Sequence, residues 1–251
     1  MAYVRQSEPA HSARSRPSYS GRLVKTPRCS SALERAGIAA FALFCLLAVD
    51  AAIRFPGRFD LAVMKIVQRV DHPELGPKLD EFERLTDSSG AVMAWAATLI
   101  VFAMRRWWLP VLGCLAIPLG GVVNETVSRV LVQRTRPHLN ELRHVSDNFE
   151  ERSFPSGHVV GAVLLYGYIW YVVGERVRNR VIVWTIRVMA VAVIALTGFD
   201  RVWSGAHWPS DVGGGFALGF ALLAGLIVAS DRIGRTVSDD GAASQGHSLL
   251  S

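Results

Sequence analysis

Residues 212–229 read VGGGFALGFALLAGLIVA, eighteen consecutive residues without a charged side chain. A helix that crosses the hydrocarbon core of a bilayer needs about 20 predominantly apolar residues, with a range of roughly 17–25. Five further apolar runs precede this one, at residues 36–53, 90–104, 107–127, 159–174 and 181–199. The pattern predicts an all-α, polytopic membrane protein built as a six-transmembrane-helix bundle.

The composition supports a membrane location. The 251 residues are 51% hydrophobic and 19% charged, whereas soluble domains have about 25% charged residues. A soluble all-α core is the alternative, but six long apolar runs leave too little polar surface to cover one. The net charge of +6 suits a membrane surface or phosphate, and we expect no nucleic-acid partner. The spacing of the three cysteines indicates neither a zinc site nor a disulfide framework.

The polar segments define the predicted domain organisation. Residues 1–34, rich in Ser, Arg and Pro, are expected to be a disordered cytoplasmic tail, and residues 233–251 a second disordered tail. Residues 35–232 form the predicted membrane domain, with residues 54–89 as its first outer loop. Within this loop, residues 59–70 predict an amphipathic helix. It either lies on the outer membrane surface or packs beneath the loop.

Arginines in the short connections predict the orientation. They occur in the N-terminal tail, at residues 105–106, at residues 176–180 and near residues 232–235, which all fall on one side of a six-helix bundle. Basic loops face the cytoplasm, so both termini are expected there, in a bacterial plasma membrane. The opposite, outer side then holds residues 54–89, 128–158 and 200–211.

The first candidate cluster on the outer side contains Arg129 and Arg136, followed by Pro137. Seven residues are nearly two helical turns, so the two guanidiniums could share one helix face. Arginine binds phosphate in a planar, bidentate manner. An ordinary basic membrane flank is the alternative. Glu125 lies four residues before Arg129, and it either orients this arginine or forms a plain structural ion pair with it.

The second cluster is Pro155-Ser156-Gly157-His158, just before the fourth apolar run. Ser156 is a suitable helix N-cap, and Gly157 allows a ligand to approach the backbone. Free N–H groups at a helix N-terminus bind anions. His158 would stand at the mouth of a membrane helix, where a histidine on its own is more often an interfacial residue than a catalyst.

The third cluster contains Arg201, His207 and Asp211. His207 and Asp211 are four residues apart, so on a helical turn the carboxylate could reach the imidazole. Such a pairing would fix the tautomer of the histidine. The helix dipole alone also favours a carboxylate at the start of a membrane helix.

Together, the three clusters resemble the three signature motifs of the type 2 phosphatidic acid phosphatase superfamily, in the same order and with the same spacing. The resemblance covers about residues 90–229. Two positions depart from the motifs. Arg129 stands where a lysine is usual, and Asp200 stands where a serine is usual. Asp200 either repels the substrate phosphate or holds Arg201 in place.

The resemblance implies roles for these residues. His207 would be the nucleophile that forms a phosphohistidine, Asp211 would orient it, and His158 would be the general acid and then the base. The implied phosphate-binding residues are Arg129, Arg136, Arg201, Ser156 and Gly157. No metal ion or other cofactor is expected, because the arginines would replace magnesium. The implied substrate is a membrane lipid phosphate: undecaprenyl diphosphate first, with phosphatidic acid and phosphatidylglycerol phosphate as alternatives.

Other functions fit parts of the pattern. A lipid phosphotransferase would use the same residues with another acceptor, and a transporter or a catalytically silent scaffold would keep the fold. The presence of both His158 and His207 argues against the silent scaffold. Vanadium haloperoxidases share the motifs but are soluble. The sequence leaves open the oligomeric state and the choice between monophosphate and diphosphate.

Overall fold

The computed structural model describes residues 27–53, 57–70, 72–145 and 152–248. Within these ranges the chain forms eight α-helices, and a short π-helical stretch, Val127–Leu131, continues the fifth. The helices are α1 (Pro27–Ile53), α2 (Arg58–Val67), α3 (Leu75–Thr86), α4 (Ser88–Met104), α5 (Trp108–Thr126), α6 (Gly157–Arg176), α7 (Arg180–Trp203) and α8 (Pro209–Ser248). The described ranges contain no β-strand, only an isolated bridge between Thr135 and Arg152.

Within the described residues, five helical segments are long and apolar enough to cross a membrane. They are Ser31–Ile53, Trp108–Leu131, Gly157–Arg176, Arg180–Trp203 and Pro209–Thr236. A sixth span exists if α3 and α4, which are bent by 52° at their junction, count as one. By itself α4 has 17 residues, or about 25 Å of helix. The predicted all-α membrane bundle is confirmed, and its second predicted span, residues 90–104, corresponds to α4.

The outer surface of the bundle is apolar. On α7, for example, Val181, Trp184, Val188 and Met189 are all more than half exposed. A soluble monomer rarely exposes a continuous apolar surface of this extent. Such a surface is stable when lipid surrounds it, so the chain is an integral membrane protein.

Helix α6 lies at the centre of the bundle and packs against α5, α7 and α8. Val160, Leu164, Tyr168 and Val172 repeat every four residues along it and are buried. Helix α5 approaches this face closely at Gly113, where an added Cβ would lie 1.9 Å from the Tyr168 hydroxyl. Helix α1 packs along α8.

The predicted site residues come together at one end of this bundle. The C-terminal ends of α5 and α7 and the N-terminal ends of α6 and α8 meet there, and α2 and α3 cover them. Gln68, just after α2, links this helix to the bundle. Its side-chain amide donates to the carbonyls of His144 (2.9 Å) and Trp203 (3.2 Å). We call this region, residues 58–87, 124–158 and 200–212, the site end.

Helix α2 packs against α7 and α8. Asp60, Met64 and Gln68 are buried, whereas Phe59 and Ile66 are 70% and 60% exposed. The buried side of this helix therefore combines polar Asp60 and Gln68 with apolar Met64, and Phe59 and Ile66 face outward. The contacts of α2 with α7 and α8 fit the packing interpretation, and its exposed Phe59 and Ile66 fit the surface interpretation.

Parts of both predicted tails are helical. Helix α1 begins at Pro27, so residues 27–34 are not the irregular segment that their composition predicts. Helix α8 extends through residues 233–248. Residues 1–26 and 249–251 lie outside the described residues.

Candidate active site

A cavity of about 600 Å³ opens at the site end. It is lined by Asn124, Glu125, Ser128, Arg129, Arg136, Arg152, Pro155, Gly157, His158 and His207. Five of the eight site residues predicted from the sequence are in this wall, including both histidines. The other three, Ser156, Arg201 and Asp211, are buried behind it.

His207 lies in the short connection between α7 and α8. Its Nδ1 is 2.8 Å from the backbone carbonyl oxygen of Ser153. A carbonyl oxygen only accepts hydrogen bonds, so Nδ1 must carry the proton and donate it. In the neutral ring, Nε2 then has a free lone pair. The geometry thus selects the tautomer in which Nε2 can act as a nucleophile.

The turn before His207 depends on Gly205. Its φ of +75° is in the left-handed region, which glycine adopts without the steric cost of a side chain. An added Cβ would also lie 2.2 Å from the carbonyl oxygen of His144. The turn therefore needs glycine both for its backbone angle and for its packing.

The surroundings of His207 keep its ring neutral. Burial lowers the pKa of His207 well below 6.5, and the positive charge of Arg136 lowers this pKa further. The hydrogen bond to the Ser153 carbonyl acts in the opposite direction but does not outweigh burial. A neutral imidazole at pH 7 follows from this balance, because burial without a paired counter-charge disfavours the charged form.

Asp211 does not form the helical pair with His207 that the spacing predicts. Helix α8 begins at Pro209, so His207 precedes the helix. The Asp211 carboxylate is 3.9 Å from His207 Nδ1, which is too far for a hydrogen bond. Its Oδ2 accepts instead from the Ser153 hydroxyl and from the Trp208 N–H at 2.8 Å. Asp211 therefore contacts the hydroxyl of Ser153, the residue whose carbonyl orients His207.

Arg134 is the functional-site residue that the sequence analysis missed. Its side chain is 1% exposed, and its Nη1 donates to Asp211 Oδ1 at 2.7 Å and to Ser210 Oγ at 2.6 Å. Its Nη2 donates to Asp60 of α2. The guanidinium also stacks near the Trp208 ring, 5.5 Å from the centroid. One buried cation thus joins three segments of the site end.

The alternation of an extended segment could have revealed Arg134. Residues 132–139 are not helical, and side chains two apart in an extended chain share a face only when the chain is regularly pleated. Val132 and Arg134 are buried and Arg136 is half-buried, whereas Gln133 and Thr135 are exposed. Arg134 and Arg136 therefore share the inner face of the segment, and Arg136 lines the cavity. The predicted shared helix face for Arg129 and Arg136 is wrong, because the helix ends at Leu131 and residues before a proline disfavour helix.

Arg201 is held by two carboxylates. Its Nε donates to Asp200 Oδ2 at 2.9 Å, and its Nη2 lies 2.7 Å from Glu83 Oε1 of α3. Of the two roles considered for Asp200, holding Arg201 in place is the one that the geometry supports. Arg129 has a carboxylate partner as well, since its Nε donates to Glu125 one helical turn away.

The start of α6 forms the wall of the cavity next to His158. Ser156 is the N-cap residue, as predicted, but its side chain makes no capping hydrogen bond. Gly157 and His158 follow in the first turn and line the cavity. The N–H groups in the first turn of a helix carry a partial positive charge that favours a bound anion.

A second cavity adjoins the first. It has a volume of about 270 Å³ and shares Gly157 and His158 with the larger one. Its wall comes from the α3–α4 junction, α6 and α7, and includes Ala91, Leu165 and Tyr166. A mainly apolar space therefore continues from His158 between the helices.

The chemistry of the larger cavity is that of an anion site. Arginines, histidines and the α6 N-terminus surround it, and Glu125, the one acidic residue among its described lining residues, is paired with Arg129. Within the described ranges, no group of three or more His, Cys, Asp or Glu side chains could hold a metal ion.

Residues 107–235 match the PAP2 superfamily, which is more than half of the chain. The protein belongs to the PAP2 superfamily. The resemblance stated from the three motifs is confirmed.

Two curated relatives are PAP2 enzymes of Bacillus subtilis (strain 168). Phosphatidylglycerophosphatase B is 28% identical over 196 residues, which are 74% of this chain and 90% of the relative. Undecaprenyl-diphosphatase BcrC is 30% identical over 109 residues, which are 43% of this chain and 50% of the relative. These PAP2 relatives identify the chain as a lipid phosphatase.

Solved PAP2 structures share the fold. The transmembrane PAP2-type phosphatidylglycerolphosphate phosphatase from Bacillus subtilis superimposes with a TM-score of 0.66 and 24% identity, over 78% of this chain and 96% of that one. LpxE of Aquifex aeolicus gives a TM-score of 0.55 and 21% identity, over 69% and 96%.

Replacing Arg134 with glutamine should destabilise this PAP2 protein strongly. The substitution leaves Asp60 and Asp211 buried without their cation, which costs about 3–5 kcal/mol for a broken buried ion pair. Thermal unfolding in detergent measures the effect. Lys78→Gln is the control, because it removes an exposed pair with Glu74 that is worth at most about 1 kcal/mol. Equal melting temperatures for the two variants would refute the role of Arg134.

Replacing Arg136 with glutamine should raise the pKa of His207. A nearby positive charge disfavours the imidazolium, so removing it makes protonation easier. Histidine NMR titration of the detergent-solubilised protein measures the shift, with His207→Ala to assign the signal and Lys78→Gln as the control. An unchanged or lower pKa in Arg136→Gln would show that Arg136 does not act on His207.

Proposed function

We propose that this phosphatase hydrolyses a membrane lipid phosphate or diphosphate through a phosphohistidine formed on His207. The observation that carries the proposal is the hydrogen bond from His207 Nδ1 to the Ser153 carbonyl. It leaves Nε2 as the nucleophilic nitrogen of a neutral ring. That nitrogen belongs to a residue in the wall of a cavity that also contains His158 and two predicted phosphate-binding arginines.

The proposed first step is a phosphoryl transfer to the protein. Nε2 of His207 attacks phosphorus, and the P–N bond forms while the bond to the leaving oxygen breaks. His158 donates its proton to that oxygen. In the second step, His158 takes a proton from water, the water oxygen attacks phosphorus, and the P–N bond breaks. Inorganic phosphate leaves, and both histidines return to their starting states.

The surrounding cations supply the remaining catalysis. Arg129, Arg136 and the N–H of Gly157 are proposed to bind the equatorial phosphoryl oxygens, each contributing about 10²–10³ in rate. Arg201 and Ser156 stay in the proposal as ligands that require a side-chain rearrangement, because neither lines the cavity. Asp211 is proposed to position His207 through Ser153, since the Ser153 hydroxyl donates to Asp211.

The second cavity supports a lipid substrate. Its mainly apolar wall meets the larger cavity at His158, where the leaving oxygen would lie. A hydrocarbon chain could occupy it while the phosphoryl group reaches His207. We propose undecaprenyl diphosphate as the substrate, with phosphatidylglycerol phosphate and phosphatidic acid as the alternatives. The arginine distribution supports a site on the outer face of a bacterial plasma membrane, with cytoplasmic termini.

The experiment is phosphate release by the detergent-purified protein in the presence of EDTA. We expect release from at least one of the three lipids, because arginines rather than a metal ion hold the phosphoryl group. His207→Ala should lower the rate by about 10⁴-fold or more, as loss of a nucleophile does elsewhere. His72→Ala, at an exposed histidine of the site end, is the matched control and should leave the rate unchanged.

The intermediate gives a second readout. Substrate labelled in its terminal phosphate should leave an acid-labile, base-stable label on the protein, and His207→Ala should abolish the label. Activity that EDTA removes, or that His207→Ala retains, would contradict the proposal. Release only when an acceptor lipid or sugar is added would identify a phosphotransferase instead.

A further inference from the structure

Arg152 lines the larger cavity but belongs to none of the three motifs. It lies three residues before Pro155, in the segment that leads to α6. Its backbone pairs with Thr135 in the isolated bridge, and the N–H of the next residue, Ser153, donates to the Arg134 carbonyl at 2.8 Å. Arg152 is thus fixed beside the extended segment that carries Arg136.

Two other arginines near the cavity have carboxylate partners among the described residues. Arg129 is paired with Glu125, and Arg201 is paired with Asp200 and Glu83. Among the described residues, no carboxylate forms an ion pair with Arg152. Its charge is therefore available to an anion in the cavity.

Two neutral polar side chains extend this part of the wall. Asn124 and Ser128 are buried, line the cavity and lie one helical turn apart. In the described structure, Oδ1 of Asn124 has no hydrogen-bond partner, although buried polar groups nearly always have one. Oδ1 only accepts, so a protonated phosphate oxygen or another donor would satisfy it, while the Nδ2 hydrogens are the donors that Asn124 can offer to phosphoryl oxygens.

The cavity is larger than one phosphoryl group requires. Its volume of about 600 Å³ lies in the range of about 300–1,000 Å³ that holds whole small molecules. In the proposed reaction, His207 attacks the phosphoryl group, which is bound by Arg129, Arg136 and the Gly157 N–H. Arg152, Asn124 and Ser128 then remain as a second group of ligands in the same space.

We propose that Arg152, with Asn124 and Ser128, binds a second phosphoryl group and makes the enzyme select lipids with two phosphates over lipids with one. The inference rests on the proposed function. The second phosphate is either joined directly to the first, as in a polyprenyl diphosphate, or separated from it by a glycerol, as in phosphatidylglycerol phosphate. Phosphatidic acid has a single phosphate and leaves Arg152 without a ligand.

The test compares kcat/KM of the wild type and Arg152→Gln on the three lipids. We expect a loss of about ten- to a hundred-fold on the two-phosphate lipids, the usual effect of losing a charge-assisted hydrogen bond. Activity on phosphatidic acid should stay unchanged, which also shows that the variant folds. A loss on only one of the two-phosphate lipids tells whether the subsite fits the direct or the glycerol-spaced phosphate.

Two control variants sharpen the comparison. Arg152→Lys keeps the charge without the planar fork and should restore part of the selectivity. Arg69→Gln removes an exposed arginine of the site end that does not line the cavity, and it should leave all three activities unchanged. Equal losses on all three lipids, or no loss on any, would overturn the proposal.

A binding measurement separates this inference from the proposed function. Inorganic pyrophosphate and phosphate are titrated into His207→Ala and into His207→Ala with Arg152→Gln. Pyrophosphate should bind about ten-fold or more tightly with Arg152 present, and phosphate about equally to both proteins. Absence of hydrolysis with this binding pattern intact would refute the phosphohistidine reaction alone. Equal pyrophosphate binding would refute the subsite.

Discussion

The buried guanidinium of Arg134 holds the site end of this PAP2 protein together. It lies between Asp60 of α2 and Asp211 of α8, and each carboxylate also accepts a backbone N–H, from Ser210 and Trp208 respectively. Removing the cation would leave two buried carboxylates uncompensated, at a cost of about 3–5 kcal/mol. One charge cluster therefore fixes the positions of α2, the extended segment at residues 132–139 and the start of α8 relative to one another.

This cluster reaches His207, the proposed nucleophile, through Ser153. The N–H of Ser153 donates to the Arg134 carbonyl, its hydroxyl donates to Asp211, and its own carbonyl accepts from His207. All three polar groups of one residue are thus engaged, which leaves the carbonyl little freedom to turn. Burial lowers the pKa of His207 well below 6.5, and the positive charge of Arg136 lowers it further. The proposed phosphate-binding Arg136 therefore also helps to keep His207 unprotonated.

The sequence predicts the elements whose signals are local. Long apolar runs predict the spans, and the spacing of the motifs predicts that His158, His207 and Arg136 share a site. The sequence does not predict which arginine faces the cavity. Arg134 and Arg136 have the same chemistry and share the inner face of the extended segment, and only tertiary contacts place Arg134 in a buried ion pair and Arg136 in the cavity wall.

The motifs also do not predict contacts between segments that are distant in the sequence. Glu83 of α3 meets Arg201 of α7, although nothing in either local sequence indicates the other. The helical rule that brings residues four apart together fails for His207 and Asp211, because the helix starts between them. Spacing identifies the residues of the site, and tertiary structure decides which atoms meet.

A structure of the protein with bound vanadate would test the central claim most directly, because vanadate mimics a phosphoryl group under attack. The account predicts vanadium bonded to Nε2 of His207, with Nδ1 still donating to the Ser153 carbonyl. One oxygen should face His158, and the others should face Arg136 and the Gly157 N–H. Vanadate bonded to another residue, or a His207 ring turned so that Nε2 faces Ser153, would contradict the account.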